Sequence, residues 1–317
     1  MRQHTYRWMS GLAMACLLVP QVRAVSIQFD YTYDTGFFAD AERRALLEQA
    51  GSYYLGFSDT LSAITPQSGD GWSVWFNNPS NLGSGLVRQQ NLSVAADTLT
   101  VFVGGSAMGS GVLGYAMSGL LDSVTGSGAF VDAVYTRGQA NATGVSATDY
   151  GWWGGAISFN SDANWYWGET ADGLDGAHND FLTTAIHELA HLFGYGSADS
   201  WFNQIEDGLF TGEASVASYG TWVPVGGGGA HWAEGVMSTV DGMVQETLMD
   251  PSTPAGVRQL LTDLDYAGLQ DIGWEVSAVP VPPALWLFGS GLAALAWPGA
   301  SRRRTAVERA SKRQVAL

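Results

Sequence analysis

His187, Glu188 and His191 stand in the order H-E-x-x-H within TTAIHELAHLFG, and Gly194 follows three residues after the second histidine. Residues four apart share one face of a helix. Two imidazoles so placed can hold one metal ion, while Glu188, one position round, can reach a water on it. Zinc brings the pKa of such a water down to about 7, and a carboxylate beside it can take the proton. The water then attacks a carbonyl that the metal polarises. These three residues therefore predict metal-assisted hydrolysis, with His187 and His191 as Zn²⁺ ligands and Glu188 as general base.

A catalytic zinc takes three protein ligands and keeps one position open. Beyond the first 24 residues the only other histidines are His178 and His231. His178 lies before the helix, more than two turns from His187, and reads as a surface-loop residue. Asp199 and Glu206 are carboxylate alternatives, with nothing around them that suggests a shaped site. His231 lies in GGGGAHWAEG, and a glycine run is what a loop needs to fold back under the helix. Eighteen residues further comes Met249, in ETLMDP.

The set His187, Glu188, His191, Gly194, then His231-Trp232, then Met249 in Leu248-Met249-Asp250-Pro251 resembles the metzincin clan of zinc endopeptidases, and within it the leishmanolysin-like branch. That branch places a long insertion before a distant third histidine and then a tight turn carrying methionine. The resemblance implies that His231 is the third ligand and that Met249, in a turn at about 247–251, forms an apolar floor beneath the metal. It also implies an α+β fold in two lobes, with a mixed sheet and an active-site helix in the first. The second lobe is then loop-rich with one helix, and the cleft lies between the two. The resemblance covers roughly residues 150–275. A third histidine at the short spacing is absent, because position 197 is Ser197, and so are the cysteine-rich inserts of the eukaryotic members. AISFNSDANW (156–165) resembles the strand that borders the cleft, along which an extended peptide could pair.

The elements that must position these residues are legible to different degrees. NDFLTTAIHELAHLFG predicts the active helix at about 180–193, capped by Asn179 or Asp180, with Gly194 allowing a left-handed end. TDLDYAGLQDIGW predicts a second helix, capped by Thr262 with Asp265 three residues on and closed by Gly273. A helix is expected within 38–57, and strands at 26–34, 97–105, 129–136 and 154–160. Residues 105–128 read as a Gly/Ser loop, and 195–261 as irregular with a flexible glycine run at 226–229.

Both ends read as addresses. Residues 1–24, with Arg2 and Arg7 before WMSGLAMACLLVP, have the form of a secretory signal peptide. Val279-Pro-Val-Pro282, the run ALWLFGSGLAALA and Arg302–Arg304 resemble the PEP-CTERM sorting signal of Gram-negative bacteria, over 277–304 with a basic tail to 317. Val281 stands where that signal commonly has glutamate. The resemblance implies an exosortase partner, membrane attachment only through this segment before processing, and delivery to the cell surface, often among exopolysaccharide. An ordinary tail anchor is the alternative. The zinc protease domain is then 25–276.

The net charge is −16, yet of 30 acidic residues all but Glu308 lie between 25 and 298, where the only basic ones are Arg43, Arg44, Arg88, Arg137 and Arg258. Such a surface repels nucleic acid and suits an exported protein. The single cysteine, Cys16, falls in the signal segment. A mature chain without it has no cysteine mechanism and no disulfide, a bacterial style of secretion. Asp162, Asp172, Asp175 and Asp180 could bind Ca²⁺ or be solvated loop acids. Trp72, Trp75, Trp152, Trp153, Trp165 and Trp167 come in close pairs that suit either sugar stacking or a core.

The expected function is a secreted or surface-sorted zinc metalloendopeptidase acting on protein or peptide. The alternative from another class is a catalytically silent adhesin or matrix protein on the same scaffold. A hydrolase of something other than peptides fits the methionine turn less well.

Overall fold

The computed structural model describes residues 24–276. The expected sorting segment at 277–304 and residues 1–23 of the expected signal segment lie outside them. Within them the chain is α+β, with six α-helices and several sheets. No described helix is long and apolar enough to cross a membrane.

The central sheet runs β1 (Ser26–Asp30), β4 (Thr98–Ser106), β7 (Gly154–Asn160) and β5 (Gly114–Ser118), in that spatial order. The first three are parallel, and β5 runs antiparallel on the edge beside β7. Parallel strands are covered on both faces and read as unbroken apolar runs. β4 and β7 obey this, and their alternation divides two cores. Leu99, Val101, Val103, Ile157 and Phe159 face the larger one, while Phe102 and Ala156 face the smaller.

The larger core is covered by helix α1 (Ala41–Ser52), which buries Leu46, Leu47 and Ala50, and by helix α3 (Phe181–Leu192). Phe181, Leu182, Ile186 and Leu189 are fully or almost fully buried. Each such side chain is worth roughly 1.5–3 kcal/mol, enough to fix the rotation of α3 and hence the faces of its two histidines. The smaller core is closed by an antiparallel sheet of β3 (Leu86–Gln90), β2 (Gly71–Asn77) and β6 (Leu120–Thr125), and by α2 (Gly128–Thr136).

Two expectations are corrected in this first half. Residues 129–136 form helix α2, not a strand. Ser127 accepts the Phe130 N–H as its cap, and Phe130 and Val134, one turn apart, are the buried pair. The β-branched and aromatic content of AFVDAVYT masks that spacing. Residues 105–128 are not a loop but carry β5 and β6. Their glycines mark close approach rather than slack: a Cβ on Gly119 would stand 2.0 Å from the Trp153 ring, and one on Gly114 would stand 2.5 Å from Glu188 Oε1.

Residues 195–261 are also more ordered than expected. After α4 (Asp199–Phe202), the strands β10 (Ile205–Glu206), β11 (Leu209–Phe210), β12 (Val223–Gly226) and β13 (His231–Trp232) form an antiparallel sheet in chain order, with α5 (Glu213–Tyr219) between β11 and β12. Strands of two to four residues leave no readable period. An aromatic cluster orders them instead. Trp201 lies 4.1 Å from Tyr195, 4.3 Å from Phe210 and 5.1 Å from Trp232, centroid to centroid. Gly227–Gly229, at φ 56, 74 and 91, make the tight turn that returns β12 into β13. The hairpin β14 (Met237–Val240) and β15 (Met243–Glu246) leads to the Met249 turn, and α6 (Asp263–Asp271) closes the fold.

Candidate metal centre

Helix α3 begins where Asp180 accepts the Thr183 N–H, and Arg258 pairs with Asp180 at 2.7 Å to hold that cap in place. The short parallel pair β8 (Trp165–Tyr166) and β9 (Asn179–Asp180) delivers the chain to it. The helix ends at Gly194, φ 96, where a Cβ would stand 2.9 Å from Tyr150. His187, Glu188 and His191 thus occupy the last turns of a helix anchored at both ends.

The structure brings His231 to the other two histidines. The three Nε2 atoms lie 3.2 Å from one another, pair by pair. These separations are not a hydrogen-bonded ring. His187 Nδ1 is 2.8 Å from the Leu248 carbonyl and His191 Nδ1 is 2.8 Å from that of Tyr195. A carbonyl only accepts, so both Nδ1 atoms carry hydrogen and both Nε2 atoms present lone pairs. Two lone pairs at 3.2 Å repel unless an electrophile lies between them. Nitrogens about 2.0 Å from a tetrahedral zinc are about 3.3 Å apart. The donor set therefore fits such an ion. Burial lowers the pKa of His187 and His191 and brings His231 down to about 4, with neighbouring imidazoles adding to the effect on His187 and His231. All three are thereby in the neutral form that ligates metals.

His231 is presented by backbone packing. Gly227 accommodates its ring, for a Cβ there would meet His231 Nδ1 at 2.5 Å. Gly196, φ 64, lets the chain leaving α3 pass against the Ala230 carbonyl, where a Cβ would stand at 2.0 Å. Ser197 donates its hydroxyl to the His191 carbonyl at 2.7 Å. It satisfies an open carbonyl at the helix end and stands in the wall of the cleft.

Leu248-Met249 forms the turn adjoining His187. Leu248 supplies the carbonyl for His187, and the Met249 carbonyl accepts the Trp232 N–H at 2.9 Å. Met249 is fully buried. One carboxylate organises all of this. Asp265 accepts N–H groups from Leu248 (3.0 Å), Met249 (3.3 Å) and Thr262 (2.8 Å), the Thr262 hydroxyl (2.8 Å) and the Trp232 indole (3.2 Å). Its sequence signal is the capping box of α6, which is present. Nothing in the sequence said that the box also reaches the turn and the third histidine's arm.

Glu188 is buried against β5, and burial pushes its carboxyl up to about 8, opposed by the Ala116 N–H. It shares a cleft of about 950 Å³ with the three histidines, Tyr115 and Ala116. The strand bordering this cleft is β5. β7, expected in that role, is paired on both sides and buried along its whole length.

Other candidates fall elsewhere. His178 is partly exposed and bound to Asp175 at 2.6 Å. Asp199 accepts the Gly144 N–H at 2.6 Å, and Glu206 is exposed in β10. Asp162, Asp172, Asp175 and Asp180 do not converge as a ligand set. Trp72, Trp153 and Trp165 are core residues, and Trp167 stacks on Phe181 at 4.3 Å. Among the described residues no tryptophan lines the cleft.

Compared with protein-family models, curated proteins and solved structures, the chain matches none.

Proposed function

We propose that the protein is a zinc-dependent endopeptidase of the leishmanolysin-like metzincin type, exported and sorted to the cell surface by its terminal segments. The observation that carries the reading is the triangle of Nε2 atoms at 3.2 Å, two of them fixed as lone-pair donors, in a cleft that also contains Glu188. On this reading the central sheet with α1–α3 is the first lobe, and the chain beyond Gly194 is the second.

His187, His191 and His231 would hold the ion. A zinc there supplies Lewis acidity toward a carbonyl and acidifies a water. Glu188 accepts the proton of the attacking water and returns it to the leaving amine. Burial raises the proton affinity of this carboxyl, which favours its taking the proton from the water. The outer edge of β5 offers backbone groups to an extended peptide as an added strand. The small residues Gly114 and Ala116 keep that strand close to the base.

The test is zinc content and casein cleavage of the purified full-length protein alongside Glu188→Gln. Stoichiometric zinc in both, with cleavage lost only in the variant, is expected. Zinc bound without any cleavage by the unaltered protein would move the reading to a silent surface scaffold.

A further inference from the structure

Glu234, Glu246 and Asp250 form a second cluster, apart from the histidines. Each places a carboxylate oxygen within 4.8 Å of the other two. Glu234 lies two residues beyond β13, Glu246 ends β15, and Asp250 follows Met249. The cluster therefore joins the arm of His231, the hairpin and the turn adjoining His187.

Acidic clusters are common on surfaces, but this one has a buried member. Asp250 is fully buried, and its Oδ2 meets no hydrogen-bond donor. Its Oδ1 accepts the Ser252 N–H at 2.8 Å. Glu246 Oε1 accepts the Gly235 N–H, and Glu234 Oε1 the Ser252 hydroxyl, both at 2.7 Å. These donors are neutral and leave the negative charge in place.

No cation among the described residues compensates it. Among the described residues there is no lysine, and the five arginines are engaged elsewhere. Arg43 and Arg44 bind the carbonyls of Phe37 and Phe38. Arg88 pairs with Asp122 and Arg258 with Asp180. Arg137 donates to the carbonyls of Ser62, Thr98, Trp152 and Ala95. A buried carboxylate without a counter-charge, and with one oxygen lacking any donor, costs several kcal/mol. Something must therefore neutralise it.

Two oxygens bound to one Ca²⁺ at 2.3–2.6 Å are at most about 5 Å apart. The cluster has that span, and three carboxylates offer up to six hard oxygens. We infer that Glu234, Glu246 and Asp250 bind a divalent cation of the calcium type, which ties the His231 arm and the β14–β15 hairpin to the turn at Leu248-Met249. Burial, the charge of Glu246, a hydrogen bond shared with its carboxyl and the charge of Glu234 push Asp250 up to about 7, opposed by the Ser252 N–H. The site stands whether or not the histidines hold zinc.

Calorimetric titration of the full-length protein with Ca²⁺, at fixed zinc, tests it. Binding at a dissociation constant of about 1 mM or tighter is expected, with a rise in Tm. Asp250→Asn and Glu246→Gln should weaken binding at least about tenfold, because ligand charge sets affinity at such sites. Glu234→Gln is the rim variant, to be used if the buried substitution fails to fold, and should weaken binding in the same direction. Glu188→Gln should bind calcium unchanged. The inference is overturned if the unaltered protein shows neither heat nor a Tm shift up to about 10 mM Ca²⁺, or if the cluster variants bind as it does.

Discussion

Asp265 accepts the backbone N–H of Leu248 at 3.0 Å, and the carbonyl of that same Leu248 accepts His187 Nδ1 at 2.8 Å. A residue on the last helix thus sets the ring orientation of a residue on the active helix through a single peptide unit. A metal-ligating imidazole needs such a partner to fix its tautomer.

Asp265→Ala should therefore unfold more easily and bind zinc more weakly. It strands the donors of Leu248, Met249, Thr262 and Trp232 in the interior, a loss of about 3 kcal/mol or more. Asp265→Asn keeps one accepting oxygen and should fall between. Chemical denaturation and zinc titration measure the two effects separately.

If the centre holds zinc as proposed, a chelator should lower Tm, because three imidazoles packed at 3.2 Å would lose the ion between them. Zinc a thousandfold above its dissociation constant is worth about 4 kcal/mol. Scanning calorimetry with and without chelator shows the difference, and His231→Ala should abolish it.

Gly114→Ala should retain zinc and lose turnover. The new methyl would meet Glu188 Oε1 at 2.5 Å, so the flexible carboxylate yields rather than the backbone. A fall in kcat of roughly a hundredfold with full zinc content is expected. Unchanged kcat would argue against Glu188 as the base.

Gly196→Ala should cost at least about 2 kcal/mol, combining a positive φ with a backbone clash at the Ala230 carbonyl. Gly228→Ala, also at positive φ but with nothing within 4 Å, should cost only about 1 kcal/mol. Denaturation midpoints of the pair separate conformational strain from contact.

Asp59 provides the pH test. Burial raises its carboxyl to about 6, assisted by the charges of Glu275 and Asp149 and opposed by the Glu275 N–H. A folded-state pKa above the unfolded value of about 3.9 means that ionisation disfavours the fold. This contribution is full at low pH and is lost as pH rises from about 4 through about 6. Asp59→Asn should remove that decline, about 1 kcal/mol after allowance for solvent screening. Stability against pH for the two proteins gives the answer by difference.

The sequence made some of this legible and hid the rest for definable reasons. The active helix was readable within a residue at each end, because Asp180, the apolar spacing and Gly194 all speak locally. α6 was equally plain from Thr262 and Asp265. β5 was hidden because Gly114 and Gly119 are small for contact with Glu188 and Trp153, and composition cannot tell close approach from slack. α2 was hidden because Val131, Val134 and Tyr135 favour strands, while Ser127 and the Phe130–Val134 pair decide for a helix. The site divides in the same way. His187, Glu188 and His191 declare themselves by spacing, and His231 could be picked out only beside a known pattern. The reach of Asp265 across to Leu248 depends on tertiary packing that no local motif encodes.

The sequence separation of 44 from His187 to His231 has a last consequence. An ion gripped by both would close that length of chain into a ring. Ring closure on this scale removes on the order of 3 kcal/mol of freedom from the unfolded chain. The described residues contain no cysteine, so no covalent bridge can do the same. If the chain is exported as proposed, the ion would act as a reversible crosslink, fastened after export and opened by whatever competes for zinc outside.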